Sequence, residues 1–283
     1  MSIAPERSKA VFQKTERDLV RLSSGLRPET VHSYRTTTRR LQTLLEELIP
    51  ERDRNQKKLL KILGRIRKRA GKVRDLDVQV AALRSLKIPQ EPRRKTQLTQ
   101  GLLELRAKHE KKLRKALTKE SLREIRKRLK RASKEVKLEA SRDSLAVARE
   151  MLAKVARPAG PLTEAVLHQY RIVVKRARYA AEFAPKSSES TRFIGELKRL
   201  QDAIGHWHDW LTLTHTATAR LGDVNQSSLV AALYNVTGSK FRQAVAVLAA
   251  SPTQIGPKPV SISAESSRKT GPKTVRERTD SAA

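Results

Sequence analysis

Two stretches of this sequence repeat one another, and the repeat restricts the possible fold more than any other feature of the chain. The segment VHSYR at residues 31–35 recurs as LHQYR at residues 167–171, which is 136 positions later. A second pair follows in the same order, because GKVRDL at 71–76 aligns with GHWHDW at 205–210 at a spacing of 134. The two pairs of segments occur in the same order and at nearly the same spacing, which predicts a tandem duplication of a structural unit.

The spacing of apolar residues predicts helices throughout the first 250 residues. Apolar side chains recur every three or four positions, and alternating β-branched runs joined by turn pairs are absent. Proline and glycine residues mark the ends of the predicted helices. These helices cover residues 6–22, 29–49, 52–70, 75–87, 94–117, 120–136, 141–157, 162–184, 189–205, 208–221 and 226–250. The sequence therefore predicts an all-α helical bundle, with breaks at Gly71 and after Gly205.

The duplication divides the predicted helical domain, residues 1–250, into a first half of about 1–157 and a second half of about 158–250. Residues 251–283 consist mainly of Pro, Ser, Thr, Lys and Arg, with few large apolar side chains. A segment of that composition buries too little apolar surface to offset the entropy lost on ordering. We therefore expect a disordered basic tail after the helical domain.

The chain carries a large excess of positive charge. Lys and Arg number 61 against 29 Asp and Glu, which gives a formal charge of +32. Repulsion of that size destabilises a compact chain unless an anion offsets it, so the expected partner is a nucleic acid, an anionic membrane surface or a polyphosphate. Aromatic residues make up only 4% of the chain, too few for the stacking platforms of proteins that bind single-stranded nucleic acid.

Several classes of protein are disfavoured. The absence of cysteine excludes disulfides and metal sites with cysteine ligands. The first residues are polar and charged, and no apolar run approaches the ~18 residues of a membrane span, so a soluble, intracellular protein without membrane insertion is expected. No glycine-rich phosphate loop, Ser-His-Asp arrangement or pair of catalytic acids is found, which favours a protein that is not an enzyme and needs no cofactor.

Basic residues form a stripe along each copy of the repeated helix, next to its apolar face. The stripe consists of His32, Arg35 and Arg39 in the first half and of His168, Arg171, Lys175 and Arg178 in the second. Histidine can donate a hydrogen bond to a phosphate oxygen, and arginine can bind phosphate through two parallel hydrogen bonds. In a single helix, a half-buried structural histidine beside ordinary solvated charges would give the same pattern. Recurrence of the stripe in both halves favours an anion site.

A further stripe lies on the helix around Lys61. It consists of Lys61, Arg65, Lys68 and Lys72, and its weaker counterpart in the second half consists of Lys198, Arg199 and His206. Like charges at these spacings repel one another, which favours an anion beside them, although an ordinary surface helix shows the same pattern. Asp75 and Asp209 occupy equivalent positions of the repeat. We interpret them as ion-pair partners that orient the basic residues, with acid–base or metal-binding roles as the alternative.

These motifs together resemble the CHAD domain, the conserved histidine α-helical domain. The resemblance rests on His32-x-x-Arg35-x-x-x-Arg39-Arg40-Leu41, on its counterpart from His168 to Tyr179, and on the segments 63–78 and 197–209. It covers about residues 8–248. It implies two similar four-helix halves related by a pseudo-twofold axis, with a basic central groove that binds long-chain inorganic polyphosphate.

The resemblance also implies which residues contact the anion. The ligands carried over by position are His32, Arg35, Arg39, Arg40, His168, Arg171, Lys175, Arg176 and Arg178, and the further stripe adds Lys61, Arg65, Lys68, Lys72, Lys198 and Arg199. The chain departs from the family pattern at Gln42, where a basic residue is usual, and at His208. The departure at Gln42 implies a groove that is less basic on one side.

The function expected from the residues and the resemblance together is non-catalytic binding of inorganic polyphosphate. Members of the family are associated with polyphosphate granules, which implies a cytoplasmic location on such granules. Nonspecific binding of nucleic acid is the alternative, because phosphate contacts of that kind need only Lys and Arg. A role as the accessory subunit of a phosphate-transferring enzyme is a third hypothesis.

Overall fold

The computed structural model describes residues 3–88, 91–155 and 162–251, and within these ranges all regular structure is helical. The elements are α1 (Pro5–Ser24), α2 (Pro28–Thr43) with a π-helical turn (Leu44–Leu48), α3 (Arg54–Ser85), α4 (Pro92–Arg114), α5 (Lys119–Glu135), α6 (Ser144–Ala153), α7 (Glu164–Ala181), α8 (Ser188–Leu221) and α9 (Ser228–Ala249). The all-α prediction is confirmed. Among the described helices, none combines the length and the apolar character that crossing a membrane requires. The predicted tail lies outside the described residues, apart from Ser251.

Local sequence explains where the helices of the site begin. Pro28 occupies the first turn of α2, where a missing amide hydrogen costs nothing. The carboxylate of Asp53 caps α3 by accepting a hydrogen bond from the backbone N–H of Gln56 at 2.7 Å. Ser187 and Ser190 form a reciprocal capping box at the start of α8. These caps fix the start, and hence the register, of the helices that carry the basic residues.

The predicted helix breaks at Gly71 and after Gly205 are wrong, because α3 and α8 run through both positions. A Cβ atom at Gly71 would lie 2.3 Å from Nη1 of Arg35, so the glycine lets the Arg35 guanidinium lie directly against the backbone of α3. At Gly205 no atom lies within 4 Å of the Cβ position. The glycine at position 71 therefore serves the close approach of a side chain and does not end the helix.

Helices α3 and α8 connect two apolar cores. The larger core unites α1, α2, α5, α6 and α7 with the first parts of α3 and α8, to which Leu63 and Leu197 belong, and with the last part of α4 and the later part of α9. The smaller core lies between α4, α9 and the later parts of α3 and α8, where Leu83 and Leu213 are fully buried. The middle sections of the two long helices pass between these cores, and they contribute to the site described below.

The order in which helices neighbour one another is the same in the two parts of the chain. Helix α2 packs on α1 and α3, and α3 packs on α4, while α7 packs on α6 and α8, and α8 packs on α9. The two series meet where α2 packs on α7 and α3 packs on α8. The duplication, the pseudo-twofold axis and the division into halves stay predictions. The predicted boundary at about 157 lies outside the described residues, and the packing of α6 on α7 favours a boundary before Ser144.

Candidate anion-binding site

Two adjoining cavities, together called the central cleft here, lie where α2 and α7 pack on one another beside α3 and α8. They share the lining residues Arg39, Arg171, Lys175 and Tyr179. The first cavity is also lined by His32, Arg35, Thr36, Arg74, Asp75, Val78, Arg178, Gln201, Asp202 and Asp209. The second is also lined by Gln42, Thr43, Glu46, Glu47, Arg67, His168, Ile172 and Arg176. The cleft thus collects side chains from both copies of the repeat.

Helices α2 and α7 each present their basic stripe to the central cleft. Residues three, four and seven positions apart share one face of a helix, so packing α2 against α7 brings both stripes to one place. Of the nine anion ligands that the family resemblance implies, all except Arg40 line the cleft. The predicted residues that come together are His32, Arg35, Arg39, His168, Arg171, Lys175, Arg176 and Arg178.

Arg40 has the contacts of a structural ion pair. Its Nε donates a hydrogen bond to Glu182 at 2.5 Å and its Nη2 donates another at 3.1 Å. The Arg40 guanidinium also lies 5.9 Å from the centre of the Tyr179 ring, and Arg178 reaches the same carboxylate at 3.4 Å. Glu182 therefore balances two arginines and ties α2 to the end of α7, which favours a structural role for Arg40.

Three cations at the middle of the cleft have no carboxylate partner among the described residues. Arg39, Arg171 and Lys175 form neither an ion pair nor a side-chain hydrogen bond with any residue in the described ranges, and Nε of Arg171 is buried without a partner. Burial, followed by the charges of Arg171 and Arg39, lowers the pKa of the Lys175 ammonium to about 7, against a smaller opposing effect of Asp209. Asp209 and Asp75 also act on Arg171 through their charge, but no ion pair among the described residues neutralises the three cations.

Arg35 and Arg171 occupy equivalent positions of the repeat, but their surroundings differ. Nη1 of Arg35 donates a hydrogen bond to the backbone carbonyl of Arg67 at 3.4 Å, and its Nη2 lies 3.8 Å from the carboxylate of Asp75. Burial lowers the pKa of both guanidinium groups, and the charge of Asp75 at Arg35 and of Asp209 at Arg171 opposes this effect. Partial burial of a charge costs free energy, and an anion beside the two arginines would recover part of that cost.

The surroundings of both histidines of the repeated motif lower their pKa values. Burial and then the charge of Arg74 lower the pKa of His32. Burial and then His208 lower the pKa of His168, whose ring centre lies 5.4 Å from that of His208. A neutral imidazole can donate one hydrogen bond, and the field of a bound anion would raise its pKa and favour a second proton.

Two glutamates that the motif analysis missed line the second cavity of the central cleft. The π-helical turn after α2 places Glu46 and Glu47 beside the cleft. Glu47 forms an ion pair with Arg176, and the amide of Gln42 donates a hydrogen bond to Glu46 at 2.6 Å. The other cavity is lined by the carboxylates of Asp75, Asp202 and Asp209, so both sides of the cleft combine cations with carboxylates. The expectation of a less basic side at Gln42 stays a prediction. Turns of this kind are frequent at functional sites, but the sequence carried no signal for it.

Two arginines of α3 line the cleft although neither was predicted as a ligand. Arg67 and Arg74 lie four positions before and three positions after Gly71, so all three share one face of α3. Spacing measured from Gly71 could have identified them, had the glycine been placed inside a helix.

Asp75 lies close to Arg35, which agrees with its interpretation as a partner that orients a basic residue. Within the described ranges, no three His, Cys, Asp or Glu side chains form a group that could hold a metal ion.

The further basic stripe of α3 lies outside the central cleft. Arg65, Lys68 and Lys72 line a separate cavity between α3 and α4. Lys61, Lys198 and Arg199 are exposed, and none of these three belongs to the lining of the central cleft. The predicted binding residues therefore divide between the central cleft and other surfaces of the molecule.

Comparison with known proteins bears on the fold and on the family. The sequence matches the family model of the CHAD domain over residues 9–218. The crystal structure of the CHAD domain from the plant Ricinus communis is similar, with a TM-score of 0.60 and 19% sequence identity over 89% of each chain. At that identity the likeness shows the fold alone. No curated protein matches the sequence.

Proposed function

This chain belongs to the CHAD domain family, and we propose that it binds inorganic polyphosphate in the central cleft. The observation that carries the proposal is the cluster of Arg39, Arg171 and Lys175, which has no carboxylate partner among the described residues. Like charges held close together and partly buried are costly unless an anion offsets them. A phosphate chain supplies negative charge at regular intervals along a narrow thread.

The shape of the site favours a thin polyanion over duplex DNA. The two cavities of the central cleft have volumes of about 580 and 340 Å³. Such cavities suit a few phosphate groups of a thin chain, whereas a double helix is too bulky to enter them. Arginine can bind phosphate oxygens through two hydrogen bonds, and His32 and His168 can each donate one more.

The role we propose is binding without turnover, in the cytoplasm at polyphosphate granules. The ion pairs of Glu47 with Arg176 and of Asp75 with Arg35 support it, because they engage these carboxylates in positioning basic side chains. Nonspecific nucleic-acid binding and service as an accessory subunit of a phosphate-transferring enzyme are the competing functions.

A competition experiment over a range of salt concentrations tests this proposal. Labelled long-chain polyphosphate bound to the full chain is displaced by unlabelled polyphosphate or by duplex DNA at the same concentration of phosphate. We expect polyphosphate to compete at a much lower concentration than DNA at every salt concentration. Equal competition with parallel salt slopes would show binding by diffuse charge and would refute the proposal.

A further inference from the structure

A second basic cavity lies between α3 and α4. It is lined by Arg65, Lys68, Arg69 and Lys72 of α3 and by His109 and Lys112 of α4, and it is called the α3–α4 cleft here. At about 100° per residue, these residues of α3 face roughly opposite to Arg67 and Arg74, which line the central cleft. The body of α3 therefore separates the two clefts.

The α3–α4 cleft brings together basic side chains of two helices that have no carboxylate partner among the described residues. None of its lysines and arginines forms an ion pair with a residue in the described part of the chain. Nearby on α4, by contrast, Glu110 accepts ion pairs from Arg106 at 2.5 Å and Arg114 at 2.6 Å. On α5, Arg128 and Arg131 each pair with a glutamate four residues away. The cleft therefore gathers five cations from two helices with no ion pair among the described residues, whereas these neighbouring arginines are paired.

His109 lies within the positive field of the α3–α4 cleft. Burial lowers the pKa of its imidazole, and the charges of Lys72, Lys112 and Lys108 lower it further. The residues with this effect come from α3 as well as from α4, so the field belongs to the cleft between the two helices. An anion that entered would relieve this repulsion and reverse the effect on His109.

We propose that the α3–α4 cleft is a second phosphate-binding site, which holds phosphate groups of a polyphosphate chain separately from the central cleft. That the ligand is polyphosphate rests on the proposed function. That the cleft binds phosphate groups rests on its own basic side chains. Lysine and arginine at the spacings of one helix face can each contact a different phosphate group along the chain. A long chain that reaches both clefts binds more tightly than a short one, because its second contact is intramolecular.

The number of bound short anions tests this proposal. Tripolyphosphate is titrated by calorimetry into the wild-type chain, into the α3–α4 variant Lys68→Gln/Arg69→Gln/Lys72→Gln, and into the central variant Arg39→Gln/Arg171→Gln/Lys175→Gln. We expect two equivalents to bind the wild type and one to bind each variant. If the α3–α4 variant binds as many as the wild type, the second site does not exist. If instead only the central variant retains its full binding, the proposed function of the central cleft fails while the second site stands.

An NMR titration of the His109 imidazole distinguishes specific binding in the α3–α4 cleft from binding by diffuse charge. Tripolyphosphate should raise the pKa of His109 in the wild type and in the central variant, and leave it unchanged in the α3–α4 variant. A control with the same loss of charge is Arg54→Gln/Lys57→Gln/Lys58→Gln, on the exposed first turns of α3. For long-chain polyphosphate we expect the α3–α4 variant to lose about tenfold or more in affinity, and the control to lose much less. Equal losses in the two variants would overturn the proposal.

Discussion

The two copies of the repeated helix bring the same residue types to the central cleft but hold them in different ways. In the first, Arg35 lies against Gly71, donates a hydrogen bond to the Arg67 carbonyl and faces Asp75. In the second, Nε of Arg171 is buried without a hydrogen-bond partner. The difference at this one pair of positions suggests that protein contacts position Arg35, whereas Arg171 is left to a ligand.

Substitution of the two equivalent arginines should give the largest difference between the halves. We expect Arg171→Gln to weaken polyphosphate binding by about 10- to 100-fold, because a hydrogen bond between charged groups contributes about 1.5–3 kcal/mol. Arg35→Gln should cost less, since the guanidinium of Arg35 already has protein partners. Fluorescence anisotropy with labelled polyphosphate measures both. A loss at Arg35 that equals or exceeds the loss at Arg171 would show that the halves act alike.

Lys175 should make the affinity for polyphosphate vary with pH. The equivalent position in the first half is Arg39, which stays charged. A bound anion raises the pKa of Lys175 above its free value of about 7, so binding above pH 7 takes up a proton and the affinity falls as pH rises. A single titrating group can lower the affinity by up to about tenfold per pH unit in this range. Below pH 7 the lysine is already protonated, and the remaining dependence comes from His32 and His168, whose pKa values are lowered.

The variant Lys175→Gln provides the control for that pH profile. We expect it to bind more weakly than the wild type, to lose the fall in affinity above pH 7, and to keep the dependence below pH 7. The affinity is measured from pH 5 to about pH 9, within the range in which arginine stays charged. An unchanged slope above pH 7 in the variant would show that another group takes up the proton.

Substitution of the two glycines at equivalent positions, Gly71 and Gly205, should give the smallest difference in polyphosphate affinity. In Gly71→Ala the new Cβ must displace the guanidinium of Arg35, so we expect polyphosphate affinity to fall several-fold with little change in stability. In Gly205→Ala the Cβ meets no atom within 4 Å, and alanine should stabilise α8 by about 0.5–1 kcal/mol without affecting binding. Thermal unfolding and anisotropy measure the two effects, and equal losses of affinity would contradict the account.

The sequence predicted the helical class, most helix positions and eight residues of the central cleft, because these follow from periodicity along one helix. The stripes of α2 and α7 are local patterns, and the repeat of the His32 motif at His168 related them to one another. Packing of the two helices then brings both stripes to one cleft.

What the sequence could not reveal depends on contacts between helices. Glycine disfavours a helix on its own, and only the approach of Arg35 explains why α3 continues through Gly71. The pairing of Arg40 with Glu182 joins residues far apart in the chain, so the motif gave no sign that this arginine is already balanced. The division of basic residues between two clefts likewise follows from the position of α4, which periodicity within α3 cannot supply.

The most direct test of the central claim compares two triple variants that lose the same charge. The central variant Arg39→Gln/Arg171→Gln/Lys175→Gln removes the cations without partners, and Arg54→Gln/Lys57→Gln/Lys58→Gln removes exposed cations from α3. Thermal unfolding confirms that both fold, and equilibrium binding of long-chain polyphosphate is then measured at one salt concentration. We predict a loss of about 100-fold or more in the central variant and less than about fivefold in the other, as expected for exposed charges. Similar losses in the two variants would show that net charge, and not the central cleft, binds the polyanion.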